Sequence, residues 1–138
     1  MTPTVRRLGP GDEDVVRRLA EDEPQTALLA DARTIFVAAF DGEEPVGFAF
    51  GYDLPRRHGD PSILFVYELD VAETHRRRGV ATALLRELAD AARERGIRTG
   101  FVLTEASNEA AMRLYESVGG VRPDEETVMW DFEWSAGP

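Results

Sequence analysis

The sequence predicts an α+β (mixed α/β) fold, built as one domain over residues 1–138. That length leaves room for one core. Apolar residues run in short strand-like blocks through the first half, at Thr34–Phe40, Val46–Tyr52 and Ser62–Val71. From Val80 to Arg95 the period becomes helical, with Leu84, Leu85, Leu88, Ala91 and Ala92 on one face. The resulting order, β, α, α, β, β, β, α, β, α, β, departs from the regular alternation of a doubly wound sheet.

Each element has a local reason. Thr4–Leu8 reads as a strand, broken by Gly9-Pro10-Gly11, after which Asp12 stands as N-cap of a helix through about Glu21. Pro24 suits the first turn of a second short helix to about Ala30. Asp41-Gly42 between two apolar runs predicts a hairpin, and Asp53–Pro61 a polar loop. Gly96 stops the long helix. Gly100–Thr104 follows as a strand, Asn108–Ser117 as a helix ended by Gly119-Gly120, and Val128–Trp134 as the closing strand.

Composition narrows the chemistry. The chain has no cysteine, and each of its 16 basic residues is an arginine, so neither a cysteinyl intermediate nor a lysine Schiff base is available. Thiolate metal sites and disulfides are excluded with the cysteines, and no metal is expected. The net charge of −10 argues against nucleic acid or an anionic membrane and favours a cationic partner. No apolar run is long enough to span a bilayer, and Met1–Leu8 lacks the apolar stretch of a secretory signal, so a cytoplasmic location is expected.

The sharpest local signal runs from Leu69 to Thr82. A strand ends, three consecutive arginines and a glycine follow, and an amphipathic helix begins at once. Free backbone N–H groups at such a junction suit a pyrophosphate, with Gly79 permitting close approach and Ala81 keeping the surface bare. Alone, the same stretch also reads as a solvated basic loop.

Arg76-x-x-Gly79-x-Ala81, preceded by Leu69-x-Val71, resembles the coenzyme A signature of the GNAT acetyltransferases. Asn108-x-x-Ala111-x-x-x-Tyr115-x-x-x-Gly119 resembles a second element of that superfamily, with Gly120 where a phenylalanine is common. The resemblance implies a central, mostly antiparallel twisted sheet flanked by helices, acetyl-CoA as acetyl donor, and a homodimer. It implies that the backbone of Leu69 and Val71 pairs with the pantetheine arm. Amides from Arg77 to Thr82, Val80 and Ala81 among them, would hold the pyrophosphate, with the side chains of Arg76, Arg77 and Arg78 adding charge. Asn108 would contact the pantetheine, and Tyr115 would protonate the leaving thiolate.

The acceptor amine must lose a proton, and Glu68 and Asp70 are acidic residues inside the strand that leads to the loop. Glu68 is the first candidate for base or substrate anchor, Asp70 the second, and a water relay stays open. In a regular strand both project to one side, and a bulge could separate them. His58 and His75 read as surface loop histidines, and Ser107 as a helix cap. Within the superfamily, Tyr67-Glu68-Leu69-Asp70-Val71, His75-Arg76-Arg77-Arg78 and Val128-Met129-Trp130-Asp131-Phe132-Glu133 resemble aminoglycoside 3-N-acetyltransferases. That resemblance implies a polyamine acceptor held by Asp53, Glu68, Asp131 and Glu133. A peptide or protein N-terminus, a small polyamine, and a non-catalytic acyl-CoA-binding module are the alternatives.

Overall fold

Five strands form a single sheet in the computed structural model, which describes residues 2–59 and 61–135. The chain divides into two compact units, Met1–Glu105 and Ala106–Pro138. The first carries β1 (Thr4–Leu8), α1 (Glu13–Leu19), a 3-10 turn at Thr26–Ala30, β2 (Thr34–Asp41), β3 (Glu44–Leu54) and β4 (Ile63–Val71). A second 3-10 turn at Glu73–His75, α2 (Val80–Glu94) and β5 (Thr99–Val102) complete it. The strands lie in the order β1-β2-β3-β4-β5, antiparallel except for the parallel pair β4–β5. The mixed, mostly antiparallel α+β architecture is the one expected.

Alternation along β2 and β3 divides the core between the two sheet faces. Ile35, Val37, Ala39 and Ala49 pack with Leu84, Leu88 and Ala92 of α2. Phe36 and Phe50 point the other way, against Val16 of α1 and Leu29. Leu84 and Leu88 are fully buried, each contributing roughly 1.5–3 kcal/mol of burial free energy. That packing holds the N-terminal end of α2 in place beside the end of β4.

Two features of β4 shape the surfaces around it. Its register with β3 shifts between Phe50 and Gly51, so that Phe50 opposes Glu68 while Gly51 opposes Val66, and Tyr67 is the extra residue of a bulge. A Cβ at Gly51 would lie 2.5 Å from the Phe65 carbonyl oxygen, so the strand opposite the bulge closes only on a glycine. The second feature is a divergence. β5 pairs with Ile63–Val66 and goes no further, leaving the Tyr67–Val71 edge of β4 without a β5 partner.

In the second unit α3 spans Glu109–Ser117. Its cap is Asn108, whose side-chain oxygen accepts the Ala111 N–H at 3.1 Å, so Asn108 and not Ser107 does the capping. Gly119, with φ 95°, ends the helix, and the Gly120 N–H bonds the Tyr115 carbonyl at 2.8 Å.

Three expectations are corrected. Val128–Trp134 forms no strand, because side-chain alternation supplies a strand's pattern but not the ladder partner that defines one; Trp130 and Trp134 stand 76% and 84% exposed. The second helix is only a 3-10 turn that begins at Thr26. Asp12 precedes α1 without capping it, since its carboxylate turns back to the Gly9 N–H at 2.9 Å and to Arg6 at 3.1 Å. No helix among the described residues is long and apolar enough to cross a membrane.

Candidate active site

At the start of α2, Gly79 takes the left-handed conformation with φ 80°, and Arg77 two residues earlier does so with φ 65°. The first bond of the helix is Ala83 N–H to the Gly79 carbonyl, at 3.0 Å. The amides from Arg77 to Thr82 have neither a backbone nor a side-chain acceptor among the described residues. A Cβ at Gly79 would meet nothing within 4 Å, so the backbone there is open to an approaching group. Unpaired donors at a helix N-terminus, below a left-handed glycine, fit a pyrophosphate. Arg77 and Arg78 are exposed beside them.

Arg76 behaves differently from its neighbours. Its Nε donates to the Val71 carbonyl at 2.8 Å, and its Nη2 reaches Asp70 Oδ1 at 3.5 Å. Asp70 Oδ1 also accepts the Val71 N–H at 2.9 Å. Both backbone groups of Val71 are therefore engaged within the chain, and the Asp70 carboxylate is tied to a guanidinium. Of the two candidate bases, Glu68 carries the carboxylate without an ion-pair partner among the described residues.

The loop is anchored from a second side. His75 lies between Thr74 Oγ1, 2.8 Å from Nδ1, and Asp41 Oδ2, 2.9 Å from Nε2. The hydrogen bond from His75 holds the Asp41 carboxyl below its ordinary value. His75 is thus no free surface histidine. Its partner is 34 residues away in the chain, beyond the reach of any local spacing rule.

The bulge at Tyr67 lies ahead of both acidic residues, so it does not separate them. Glu68 opposes Phe50 and Asp70 opposes Phe48, which puts both on the α1 face of the sheet. The extra residue instead delivers Tyr67 to that face, where its ring stands 5.6 Å from those of Phe50, Tyr52 and Phe65. Between this surface and α1 lies a cavity of about 310 Å³. Phe36, Phe48 and Phe50 line it from the sheet and Val16 and Leu19 from α1, with Glu23, Gln25, Tyr52, Tyr67 and Glu68 among the polar side chains at its wall. Burial, with smaller contributions from the neighbouring Tyr67, Asp31 and Glu68, pushes the Tyr52 phenol above its usual range.

Asp53 does not join this cavity, which corrects its expected place among the acceptor's carboxylates. It opposes Leu64 on the α2 face and is 8% exposed, with its carboxylate held by Arg33 at 3.2 Å and Arg95 at 3.5 Å. Desolvation raises its pKa, but the Ser62 hydroxyl and the two arginines outweigh that and leave it lowered. In the second unit Asp131 and Glu133 are exposed. Burial pushes the Tyr115 hydroxyl above the ordinary phenol value of 10.0, which keeps it a proton donor. No cluster of three or more His, Asp or Glu side chains able to hold a metal occurs among the described residues.

Tyr52, Tyr67, Glu23 and the phenylalanine floor were not among the expected site residues. A signal for them was present: Gly47-Phe48-Ala49-Phe50-Gly51-Tyr52 sets small residues on one face of a strand and aromatics on the other.

Known proteins share the fold and the family. An aminoglycoside acetyltransferase from an uncultured soil metagenomic sample is 30% identical over 98% of this chain and 100% of that one, with a TM-score of 0.81. Another from an uncultured soil metagenomic sample, solved in complex with sisomicin, shares the fold, at a TM-score of 0.85, 18% identity and 97% coverage of both chains. The L-2,4-diaminobutyric acid acetyltransferase of Methylotuvimicrobium alcaliphilum is 34% identical over 82 residues. That match takes in 59% of this chain and 46% of that protein, so the chain spans about half the length of this curated relative. The profile of the acetyltransferase (GNAT) family matches residues 6–120, and the chain belongs to that family.

Proposed function

We propose that this protein moves an acetyl group directly from acetyl-CoA to a primary amine of a small cationic molecule. The observation that carries the reading is the row of acceptor-free amides from Arg77 to Thr82, with the left-handed Gly79 among them. Acetyl-CoA supplies an activated thioester when bound. The amides and the exposed Arg77 and Arg78 would hold its pyrophosphate, the open β4 edge around Leu69 would receive the pantetheine arm, and Asn108 would contact that arm. Glu68 takes a proton from the acceptor ammonium, directly or through water, with Asp70 the weaker candidate because Arg76 already holds it. In the overall reaction an N–C bond forms and the thioester C–S bond breaks. Of the two protons the ammonium loses, one ends on the thiol and one in solvent. Tyr115 donates the proton to the sulfur.

For the acceptor, the reading is an aminoglycoside acetylated at its 3-N position, with antibiotic resistance as the consequence. The resemblance of the motif segments and the names of the structural relatives support it, as does a net charge of −10. Asp131 and Glu133 would add carboxylates to Glu68 on the acceptor. The cavity of about 310 Å³ favours a second reading, a smaller amine such as the diamino acid of the curated relative.

Residues 1–138 would act as one domain, a reading supported by a family match that crosses the division at Ala106, and the proposed location is the cytoplasm. They would pair as a homodimer, supported by the exposed alternating Val128, Trp130, Phe132 and Trp134. Thiol release with acetyl-CoA and an amine panel tests the activity, and a salt series tests the charge. KM for a polycation should rise with ionic strength more than KM for a mono-amine. Thiol release with no amine of the panel would refute the transferase. An equal salt response would refute the polycation.

A further inference from the structure

The segment joining α1 to the 3-10 turn at Thr26 supplies a wall of the cavity beside Glu68, through Ala20, Glu23, Pro24 and Gln25. It is short and pinned at both ends. The Ala20 N–H bonds the Val16 carbonyl at 3.1 Å and the Leu28 N–H the Gln25 carbonyl at 3.2 Å. Leu29, just beyond, is buried in one cluster with Val16, Phe36 and Phe50. Pro24 fixes its own φ and confines Glu23 before it to extended backbone. The chain on either side therefore holds Glu23 at the cavity.

Three carboxylates stand in succession here, Glu21, Asp22 and Glu23, and only the third lines the cavity. Glu68 is the other charged side chain at the wall, which thus carries two negative charges and, among the described residues, no positive one. Neither carboxylate has an ion-pair partner among the described residues. The neutral polar groups are the Gln25 amide and the Tyr52 and Tyr67 hydroxyls, which can bond the hydroxyls of a sugar. Tyr67, 54% exposed, also offers its ring to an ammonium. At about 310 Å³, near the low end of the roughly 300–1,000 Å³ of ligand pockets, the space suits one hydroxylated ring, with the rest of a larger acceptor outside.

We infer that Glu23 is a specificity residue of the acceptor site, holding an ammonium of the entering ring other than the one that reacts at Glu68. The inference rests on the acetyl-transfer reading and deepens its aminoglycoside acceptor, because it assigns the ring that enters as one bearing two amines. Glu23 touches no reacting atom. Its charge therefore acts on binding of substrate and transition state alike, and its loss shows in KM and not in kcat.

The experiment has a binding arm and a turnover arm. Calorimetry without acetyl-CoA and thiol release with it compare 2-deoxystreptamine, a hydroxylated ring with two amines, and glucosamine, a ring with one. Glu23→Gln should raise Kd and KM for 2-deoxystreptamine about fivefold, the upper range for an exposed ion pair, and more at low salt than at high. Its kcat, Tm, KM for acetyl-CoA and constants for glucosamine should change little. Glu21→Gln and Asp22→Asn remove the same charge beside the cavity and not at it, and should leave 2-deoxystreptamine little affected. Unchanged constants for 2-deoxystreptamine in Glu23→Gln, an equal loss in all three variants, or an equal loss for both amines overturns the inference and leaves acetyl transfer standing. Weaker binding of 2-deoxystreptamine by Glu23→Gln alone, with no thiol released from any amine, upholds Glu23 and overturns the transferase.

Discussion

Arg76 donates from Nε to the carbonyl of Val71 across 2.8 Å, fastening the basic loop to the strand that leads into it. Arg77 and Arg78, its neighbours, have no carboxylate partner among the described residues. The three arginines therefore divide into one that builds the loop and two that face whatever the loop binds. Arg76→Ala should cost about 1 kcal/mol, the worth of one hydrogen bond at a partly exposed site, and raise KM for acetyl-CoA as the loop loosens. Arg77→Ala and Arg78→Ala should leave Tm unchanged and raise KM for acetyl-CoA, more at low salt than at high. Thermal melts beside KM at two ionic strengths decide it, and equal Tm losses in all three variants would contradict the division.

Gly79 has a left-handed backbone and open space where a side chain would stand. Gly79→Val should fold, at a cost of roughly 1–2 kcal/mol for holding an L-residue in that conformation. Its acetyl-CoA affinity should fall by far more than that strain explains, because a branched side chain would stand at the backbone that approaches the pyrophosphate. Titration calorimetry on the folded variant measures it, and unchanged affinity would remove the loop from cofactor binding.

Tyr115 differs from Phe by one hydroxyl, and burial keeps that hydroxyl protonated beyond the ordinary phenol value of 10.0. Tyr115→Phe should lower kcat by roughly 10²-fold or more, with KM for acetyl-CoA nearly unchanged. The raised pKa also has a direction. The midpoint of any loss of kcat through Tyr115 ionisation should lie above the ordinary phenol value of 10.0 in the wild type, and that limb should vanish in the variant. A kcat within about twofold of wild type would exclude a general-acid role in a chemistry-limited step.

His75 holds the Asp41 carboxyl below its ordinary value of 3.8. A carboxylate with a depressed folded pKa stabilises the fold above its unfolded pKa and loses that contribution as pH falls through the folded one. Wild type should therefore melt higher than Asp41→Asn at pH 6, and the gap should close as pH drops below 3.8. Melting curves of both proteins between pH 6 and 2.5 check this, and a constant gap would show that His75–Asp41 is no pH-linked clamp.

The sequence by itself determined the elements whose signals are local. The leucine and alanine spacing of α2, the turn at Asp41-Gly42 and the strand-to-helix junction at Gly79 each depend on residues within a few positions of one another. The α+β class and the family followed from those signals. Only the tertiary structure decided which chemistry-bearing side chains meet. Glu68 and Asp70 share a face with Phe48 and Phe50 because a single extra residue, Tyr67, shifts the register of β4 against β3. Asp53 is consumed by Arg33 and Arg95 on the other face, and His75 finds Asp41 across 34 residues. Val128–Trp134 has a strand's alternation but no ladder partner. Periodicity reports how a segment's side chains divide between two sides, whereas register, bulges and ion pairs arise from contacts between segments, which no local pattern encodes.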